Sequence, residues 1–331
     1  MPGACRGAWL LIASCFLVTA ASCTDLQLSR YRDDSLLANH RYALGESYLE
    51  VNGIRLCYQE MGQGPDLLII PGLATNIDYW QLTIPALAEH FRVVAVDPPG
   101  MGKSDKPDAG YELPWIVRQI EAFMQAKGIE RAHVMGGSLG GHLALLLALQ
   151  HPERVDRMVL MGSCGAWPEP GPLLDLGIRL LWNDPMVIDH LRRNWPTIFA
   201  DIVLSDTPVS RELLRYQMAV RANLMAYWPE GQATSRALRS IFYNTCRGCM
   251  ERITTPVLLI WGDDDRVHLL EEGQYMAAHL PDATLLIVPQ SGHEVMLDQP
   301  RVFNETVLLF LREGKRELRG ELLPLKREHP L

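Results

Sequence analysis

One serine stands among glycines in the segment GGSLGG, residues 136–141. A short apolar run precedes this segment, and a long apolar stretch with helical character follows it. Ser138 could simply cap that helix, with the glycines making the bend. However, glycines beside a sharp strand-to-helix turn also leave room for a strained, projecting nucleophile. The spacing GxSxG between a strand and a helix favours the second interpretation, so Ser138 is a candidate nucleophile.

A serine hydroxyl attacks a carbonyl at neutral pH only when a neighbouring base takes its proton. Among the ten histidines, His293 in SGHEVMLDQP stands in a glycine-marked loop directly after an apolar, strand-like run. Six others lie beside predicted helices, at strand boundaries or in a long helical insertion: His90, His133, His142, His151, His190 and His279. The sequence therefore predicts His293 as the base.

The imidazole in turn needs a carboxylate that fixes its tautomer and stabilises its charged form. Asp263, Asp264 and Asp265 follow the apolar run LLIWG. An acidic triplet at this place also fits a solvated turn or a helix cap, and composition does not choose among the three. An acid from this triplet gives the chain order serine, acid, histidine that is typical of nucleophile-elbow hydrolases.

These residues require a sheet that brings the ends of distant strands together. Six apolar runs of four to six residues end in Gly, Pro, Asp or Ser and lack alternation, as expected for parallel strands covered on both faces. Helices are predicted between them at 78–90, 111–128, 139–151, 267–279 and 300–313. The pattern predicts an α/β fold with a mostly parallel, doubly wound sheet of about eight strands. An antiparallel hairpin at Asn52-Gly53 opens it.

The alternation is interrupted between Ser163 and Pro256, where the sequence is rich in Trp, Leu, Met and Arg and has helical periodicity. A structureless loop of that length is implausible in a compact domain. We predict a helical cap at 165–250, inserted into a core formed by 45–164 and 251–313. Several large cap side chains either line an apolar substrate pocket or form the core of the cap itself: Trp167, Trp182, Trp195, Met218, Met225 and Trp228.

The N-terminal segment has the layout of a secretory signal peptide. Residues 1–22 contain Arg6, then an apolar run shorter than the roughly 20 residues of a spanning helix, then small residues. We therefore expect an exported protein, periplasmic or secreted. The sequence AASC, ending at Cys23, resembles a bacterial lipoprotein box with alanine in the usual place of leucine, so membrane attachment through a lipidated Cys23 is an open alternative. A linker is predicted at 23–44 and a charged tail at 314–331.

Cleavage of the signal would leave five of the seven cysteines, in a compartment where disulfides persist. Cys246 and Cys249 in CRGC fit a disulfide, two ordinary thiols, a redox pair or half a zinc site. A tetrahedral zinc site would need further ligands that the neighbouring sequence does not offer. A disulfide or two ordinary thiols is therefore the favoured interpretation, and we expect no metal.

Composition restricts the partners. The 331 residues are 48% hydrophobic and 21% charged, as in globular proteins, and the formal net charge is −8. Neither the overall charge nor any run of Lys and Arg offers a basic surface, which argues against nucleic-acid binding. A small-molecule substrate is expected instead, and the sequence indicates no oligomeric state.

From residue 48 to about 311 the chain resembles the α/β-hydrolase superfamily, specifically its capped serine hydrolases. The elbow at 136–141, the acid loop WGDDDRV and the histidine loop SGHEVMLDQP match that family in order and spacing. In the family the acid lies three positions after the glycine of its loop, which selects Asp265 and implies the triad Ser138, Asp265 and His293. The segment DPPGMGKSDKP resembles a family loop in which the acid, here Asp97, is usually structural.

The resemblance also implies an oxyanion hole made of two backbone N–H groups, those of Leu73 and Leu139. Pro71 stands where the family often has the histidine of a His-Gly pair, which is a departure from the family pattern. Because the donor is a backbone group, the substitution need not abolish the hole. Loss of one such donor costs roughly 10² to 10³ in rate.

The expected chemistry is acyl transfer to water through an acyl-enzyme, without a metal or organic cofactor. Ser138 excludes relatives with an aspartate nucleophile, such as haloalkane dehalogenases and epoxide hydrolases. Our main expectation is a hydrolase of a carboxylic ester, lactone or thioester with a small to medium, fairly apolar substrate. The alternatives are a C–C bond hydrolase of ring-cleavage products and a non-catalytic ligand-binding protein on the same fold.

Overall fold

The computed structural model describes residues 45–172, 175–176, 178 and 228–314. The predicted signal peptide, Cys23, the linker, most of the cap and nearly all of the charged tail lie outside the described residues and stay predictions. Elements are numbered below in chain order over the described part.

Eight strands form one sheet in the order β1-β2-β4-β3-β5-β6-β7-β8. The two pairings that involve β2 are antiparallel, and all pairings from β4 through β8 are parallel. The expected mostly parallel α/β sheet is confirmed. The strands are β1 (Ser47–Val51), β2 (Ile54–Met61), β3 (Asp66–Ile70), β4 (Arg92–Val96), β5 (Ala132–Gly137), β6 (Val155–Met161), β7 (Val257–Gly262) and β8 (Ala283–Val288).

The hairpin between β1 and β2 turns at Asn52 and Gly53, as the sequence predicts. Both residues have positive φ, 52° and 75°. Asn-Gly is the pair that best tolerates this geometry in a two-residue hairpin turn.

Helices cover both faces of the sheet, because successive strand residues point to opposite sides. The described α-helices are α1 (Ile84–Ala88), α2 (Leu113–Ala126), α3 (Leu139–Gln150), α4 (Trp228–Tyr243), α5 (Leu270–His279), α6 (Val295–Asp298) and α7 (Pro300–Glu313). On β3, Leu68 and Ile70 join the apolar cluster that includes α2 and α3, whereas Leu67 and Ile69 join the cluster that includes α1 and α7. No helix in this described part is long and apolar enough to span a bilayer.

Two predicted helices are shorter than expected. The stretch 78–90 is divided into a 3-10 turn, Ile77–Trp80, and α1, because Pro85 in the first turn of α1 cannot continue a preceding helix. The helix expected from Val267 begins only at Leu270. The N–H groups of Val267 and His268 instead donate to Asp265.

Asp97 joins the loops that follow β3 and β4. Its Oδ1 accepts a hydrogen bond from the Ile77 N–H and its Oδ2 one from the Lys103 N–H, at 2.9 and 2.8 Å. Asp97 is fully buried, and this burial raises the pKa of its carboxyl to about 7, against the opposing effect of the two backbone donors. The structural role expected for Asp97 agrees with these contacts.

This pKa predicts a pH dependence of stability. Between pH 4 and pH 7 the folded protein retains a proton on Asp97 that the unfolded chain, with an ordinary carboxyl pKa of about 4, has lost. The free energy of unfolding therefore falls as the pH rises through this window. Urea unfolding between pH 4 and 7.5 measures this change. The free energy of unfolding should fall further in the wild type than in Asp97→Asn, by up to about 4 kcal/mol. Parallel pH curves for the two proteins would contradict this assignment.

Candidate active site

The turn between β5 and α3 projects Ser138 from the sheet. Ser138 has φ 52° and ψ −118°, a conformation that side-chain-bearing residues rarely adopt. Its backbone is held at both ends, since its N–H donates to Met161 O at 2.9 Å and its carbonyl accepts from the Cys164 N–H at 3.1 Å. The strained residue thus lies at the carboxyl edge of the sheet, as the nucleophile interpretation requires.

The glycines of this turn are required by close approach. A Cβ at Gly140 would lie 1.9 Å from the carbonyl oxygen of Ile70, the last residue of β3. A Cβ at Gly136 would lie 2.3 Å from the carbonyl carbon of Gly140. The glycines therefore allow α3 to start directly against the end of β3.

His293 and Asp265 meet at the same edge, after β8 and β7. His293 Nδ1 donates to Asp265 Oδ2 at 2.9 Å, and both side chains are at least 98% buried. The other oxygen of Asp265 accepts the N–H groups of Val267 and His268, each at 2.9 Å. Asp265 is therefore the member of the acidic triplet that faces the histidine. By contrast, Asp264 pairs with Arg266 at the surface.

Ser138 and His293 line one pocket. Among the hydrogen bonds of the described residues, the one involving Ser138 Oγ runs to Cys164 Sγ at 3.7 Å, and none joins Ser138 to His293. The described lining consists of Gly72, Leu73, Thr75, Tyr79, Trp80, Gly137, Ser138, Met161, His293, Glu294 and Met296. It contains no lysine or arginine.

The N–H groups proposed for the oxyanion hole flank this serine. Leu73 lines the pocket, and Leu139 is the first residue of α3. Neither N–H donates to another described residue, so both are available to a ligand. Thr75 closes the loop around Leu73 by donating its hydroxyl to Gly72 O at 2.8 Å. This arrangement can stabilise a developing oxyanion next to Ser138.

Sequence reasoning missed a second group of polar residues beside Ser138. Cys164 Sγ lies 3.1 Å from His268 Nε2, and His268 Nδ1 lies 3.0 Å from Glu272 Oε2. Burial alone would lower the pKa of His268, but the facing Cys164 and Glu272 outweigh it and hold that pKa well above its usual range. A signal was present, because Cys164 and His268 both follow predicted strand ends, as Ser138 and His293 do.

Six large cap side chains were expected either to line a substrate pocket or to form the core of the cap. Of these six, the structure describes the side chain of Trp167. It stacks on Phe242 with ring centroids 5.0 Å apart and lies 5.1 Å from the His268 ring. It is 3% exposed and belongs to the core cluster, which matches the core interpretation. The side chains of the other cap residues named for the pocket lie outside the described part: Trp182, Trp195, Met218, Met225 and Trp228.

Cys246 and Cys249 are free thiols in the structure. The Cys249 thiol donates to the Cys246 carbonyl at 3.3 Å. Of the alternatives left open for CRGC, the structure therefore shows two thiols. Within the described ranges, no cluster of three or more His, Cys, Asp or Glu side chains is arranged to hold a metal ion.

A family model described as the α/β hydrolase fold matches residues 65–300, most of the chain. The chain belongs to the α/β-hydrolase family. The expected resemblance is thus confirmed, and the eight-stranded sheet with its GxSxG turn is the α/β-hydrolase core.

Known α/β hydrolases of two kinds are similar to this chain. It is 30% identical to the 2-hydroxy-6-oxononadienedioate/2-hydroxy-6-oxononatrienedioate hydrolase of Cupriavidus pinatubonensis, over 78% of this chain and 90% of that protein. A solved meta-cleavage product hydrolase from Pseudomonas fluorescens is 27% identical, with a TM-score of 0.62 over 82% of this chain and 99% of that one. A bacterial membrane phospholipase A is 26% identical, with a TM-score of 0.67 over 92% and 97%.

The close contact at Gly140 predicts that Gly140→Ala destabilises the protein more than an alanine at an open glycine position does. Gly140→Ala should lower the free energy of unfolding by about 2–4 kcal/mol, since the new methyl group would collide with the backbone at Ile70. Gly53→Ala is the matched control, because its Cβ would meet nothing within 4 Å and only the positive φ costs energy, about 1–2 kcal/mol. Denaturant unfolding of both variants measures the difference. Equal losses would show that the close approach at Gly140 carries no cost.

Proposed function

We propose that this α/β hydrolase breaks a carbon–carbon bond beside a ketone in a product of aromatic ring cleavage. The observation that carries the proposal is the similarity, over 78% and 82% of the chain, to two hydrolases named for such substrates. These relatives favour the C–C alternative over our main expectation of an ester hydrolase. The apposition of Ser138 with the His293–Asp265 pair supports it.

In the proposed mechanism Ser138 is the nucleophile. Its Oγ turns from Cys164 towards His293, whose Nε2 takes the hydroxyl proton while Asp265 holds Nδ1–H. Ser138 Oγ attacks the ketone carbon, and the resulting oxyanion is stabilised by the N–H groups of Leu73 and Leu139.

Carbon–carbon cleavage then completes the first half of the reaction. This needs the 2-oxo tautomer of the dienoate, in which the enol proton has moved to the carbon beside the reacting ketone. The bonding electron pair then passes into the conjugated 2-oxo system of the leaving fragment, which takes the proton from His293. The other fragment remains as an ester on Ser138. Water, deprotonated by His293, attacks this ester, and the acid product and free Ser138 are released.

A second candidate function is the hydrolysis of a carboxylic ester. The described lining offers apolar side chains and neither lysine nor arginine, so a substrate with two carboxylates would find no positive charge there. A neutral acyl chain suits such a surface. The similarity to a phospholipase A over 92% of this chain supports the same candidate.

Both candidates require Ser138 and His293. Ser138→Ala and His293→Ala should each lower kcat/KM by at least about 10³, because nucleophile and base act as one unit. A fluorophosphonate should label the wild type at Ser138 and leave Ser138→Ala unlabelled, as peptide mass spectrometry would show. Turnover by Ser138→Ala that stays within about tenfold of the wild type would contradict the assignment. Absence of both turnover and labelling from the wild type would favour a non-catalytic binding protein.

Substrate specificity separates the two candidates. We expect kcat/KM for a 2-hydroxy-6-oxo-dienoate to exceed that for p-nitrophenyl butyrate by at least about tenfold, a difference of about 1.4 kcal/mol in transition-state stabilisation. Dienoates with one and with two carboxylates would be compared, since the described lining, which contains Glu294 and neither lysine nor arginine, predicts preference for the first. Ser138→Ala supplies the background rate for every substrate. Faster turnover of the ester would replace the C–C proposal with the ester candidate.

A further inference from the structure

Cys164, His268 and Glu272 form a linear chain of contacts next to Ser138. Cys164 follows β6, His268 lies in the loop after β7, and Glu272 lies in the first turn of α5. Sulfur to Nε2 is 3.1 Å and Nδ1 to Oε2 is 3.0 Å. The exposed fractions of the three residues are 2%, 2% and 9%, so water competes little for these contacts.

Cys164, His268 and Glu272 repeat the chemical order of nucleophile, base and acid. A thiol within hydrogen-bond reach of an imidazole, with the second ring nitrogen held by a carboxylate, is the arrangement that activates a cysteine nucleophile. The Trp167 ring lies 5.1 Å from the His268 ring, and Asp265 Oδ1 accepts the backbone N–H of His268. These contacts and the one to Glu272 fix the position of the imidazole.

The thiol lies within reach of the chemistry at Ser138. Cys164 Sγ is 3.7 Å from Ser138 Oγ. An acyl carbon bonded to that oxygen lies one bond length away from it, and productive attack needs a separation of about 3–3.5 Å. At 3.7 Å from that oxygen, the sulfur is within about one bond length of this separation. A buried structural thiol would need neither this proximity nor an oriented base.

We propose that Cys164 is a second nucleophile, which accepts acyl groups from carbonyl compounds bound at Ser138, with His268 as its base and Glu272 holding His268. The inference rests on the Ser138 pocket admitting carbonyl compounds, and it holds whether Ser138 cleaves a C–C bond or an ester. The ligand class is an acyl donor such as an aryl ester, or the acyl group already on Ser138.

The step balances in atoms and charge. His268 Nε2 takes the thiol proton, and the sulfur attacks the acyl carbon to form a carbon–sulfur bond. The bond from that carbon to its leaving oxygen breaks, and the oxygen takes the proton held by His268 and leaves as a phenol or, from Ser138, as the serine hydroxyl. Water deprotonated by His268 then cleaves the thioester, which restores the thiol and releases the acid.

The test uses the full chain with Ser138→Ala, which removes the first nucleophile and the hydroxyl 3.7 Å from Cys164 Sγ. Mixing this variant with p-nitrophenyl acetate should release a burst of about one p-nitrophenolate per chain, because thioester hydrolysis lags behind acylation. Acid quench and peptide mass spectrometry should place the acetyl group on Cys164. Adding His268→Gln should slow the burst by about 10² or more.

Two further variants control for accessibility and folding. Ser138→Ala with Cys164→Ser nearly preserves side-chain size and should slow the burst by about 10² or more, because a hydroxyl is a weaker nucleophile than a thiol. Ser138→Ala with Cys57→Ala should keep the burst, since Cys57 is a buried thiol that does not line the described part of the Ser138 pocket. Circular dichroism verifies that each variant is folded. If Cys164→Ser does not fold, wild type quenched during turnover gives the same answer through acetyl on Cys164.

Absence of acetyl from Cys164 in both experiments, or a burst unchanged by Cys164→Ser, would overturn the inference. Failure of the proposed function is separate, because it is measured in the wild type by fluorophosphonate labelling at Ser138 and by the turnover of the dienoate against the ester. A protein with labelled Ser138 and unreactive Cys164 retains Ser138 as its one nucleophile. A chain with unlabelled Ser138 and acetylated Cys164 retains only the second nucleophile.

Discussion

The carboxylate of Asp265 is the contact on which the arrangement of the site depends. One oxygen holds His293, and the other holds the backbone N–H groups of Val267 and His268. A carboxylate that accepts several N–H groups is fixed in orientation, and its burial makes each bond stronger than it would be in water. The same side chain thus aligns the base that faces Ser138 and the loop from which His268 reaches Cys164.

The order of the strands in the sheet brings the site residues together. Parallel strands β5, β6, β7 and β8 are neighbours, so the loops at their carboxyl ends meet although they are distant in the sequence. The apolar clusters on both faces of the sheet supply the stability against which a strained Ser138 and several buried polar groups are held. Asp97 adds a fixed connection between the loops after β3 and β4.

Much of the fold was predictable, because burial on both faces of a parallel sheet leaves uninterrupted apolar runs and because Asn52-Gly53 fits a tight hairpin turn. Ser138 and His293 were also visible, each in a glycine-marked segment after such a run. The choice of Asp265 from three adjacent aspartates came from family resemblance, since composition does not encode which carboxylate points inward. Helix starts were less accurate, because the side chain of Asp265 competes for the N–H groups of Val267 and His268.

The sequence by itself determined the class of fold, the order of serine, acid and histidine, and the glycines that the turn at Ser138 requires. These follow from local sterics and from periodicity, which depend on residues close together in the sequence. Only the tertiary structure showed that Cys164, His268 and Glu272 form one chain of contacts beside Ser138. Cys164 and His268 are 104 positions apart, and their side chains meet because β6 and β7 pair in one particular register. That pairing depends on residues distant in the sequence, so a contact between two strand ends can be seen only in the assembled sheet.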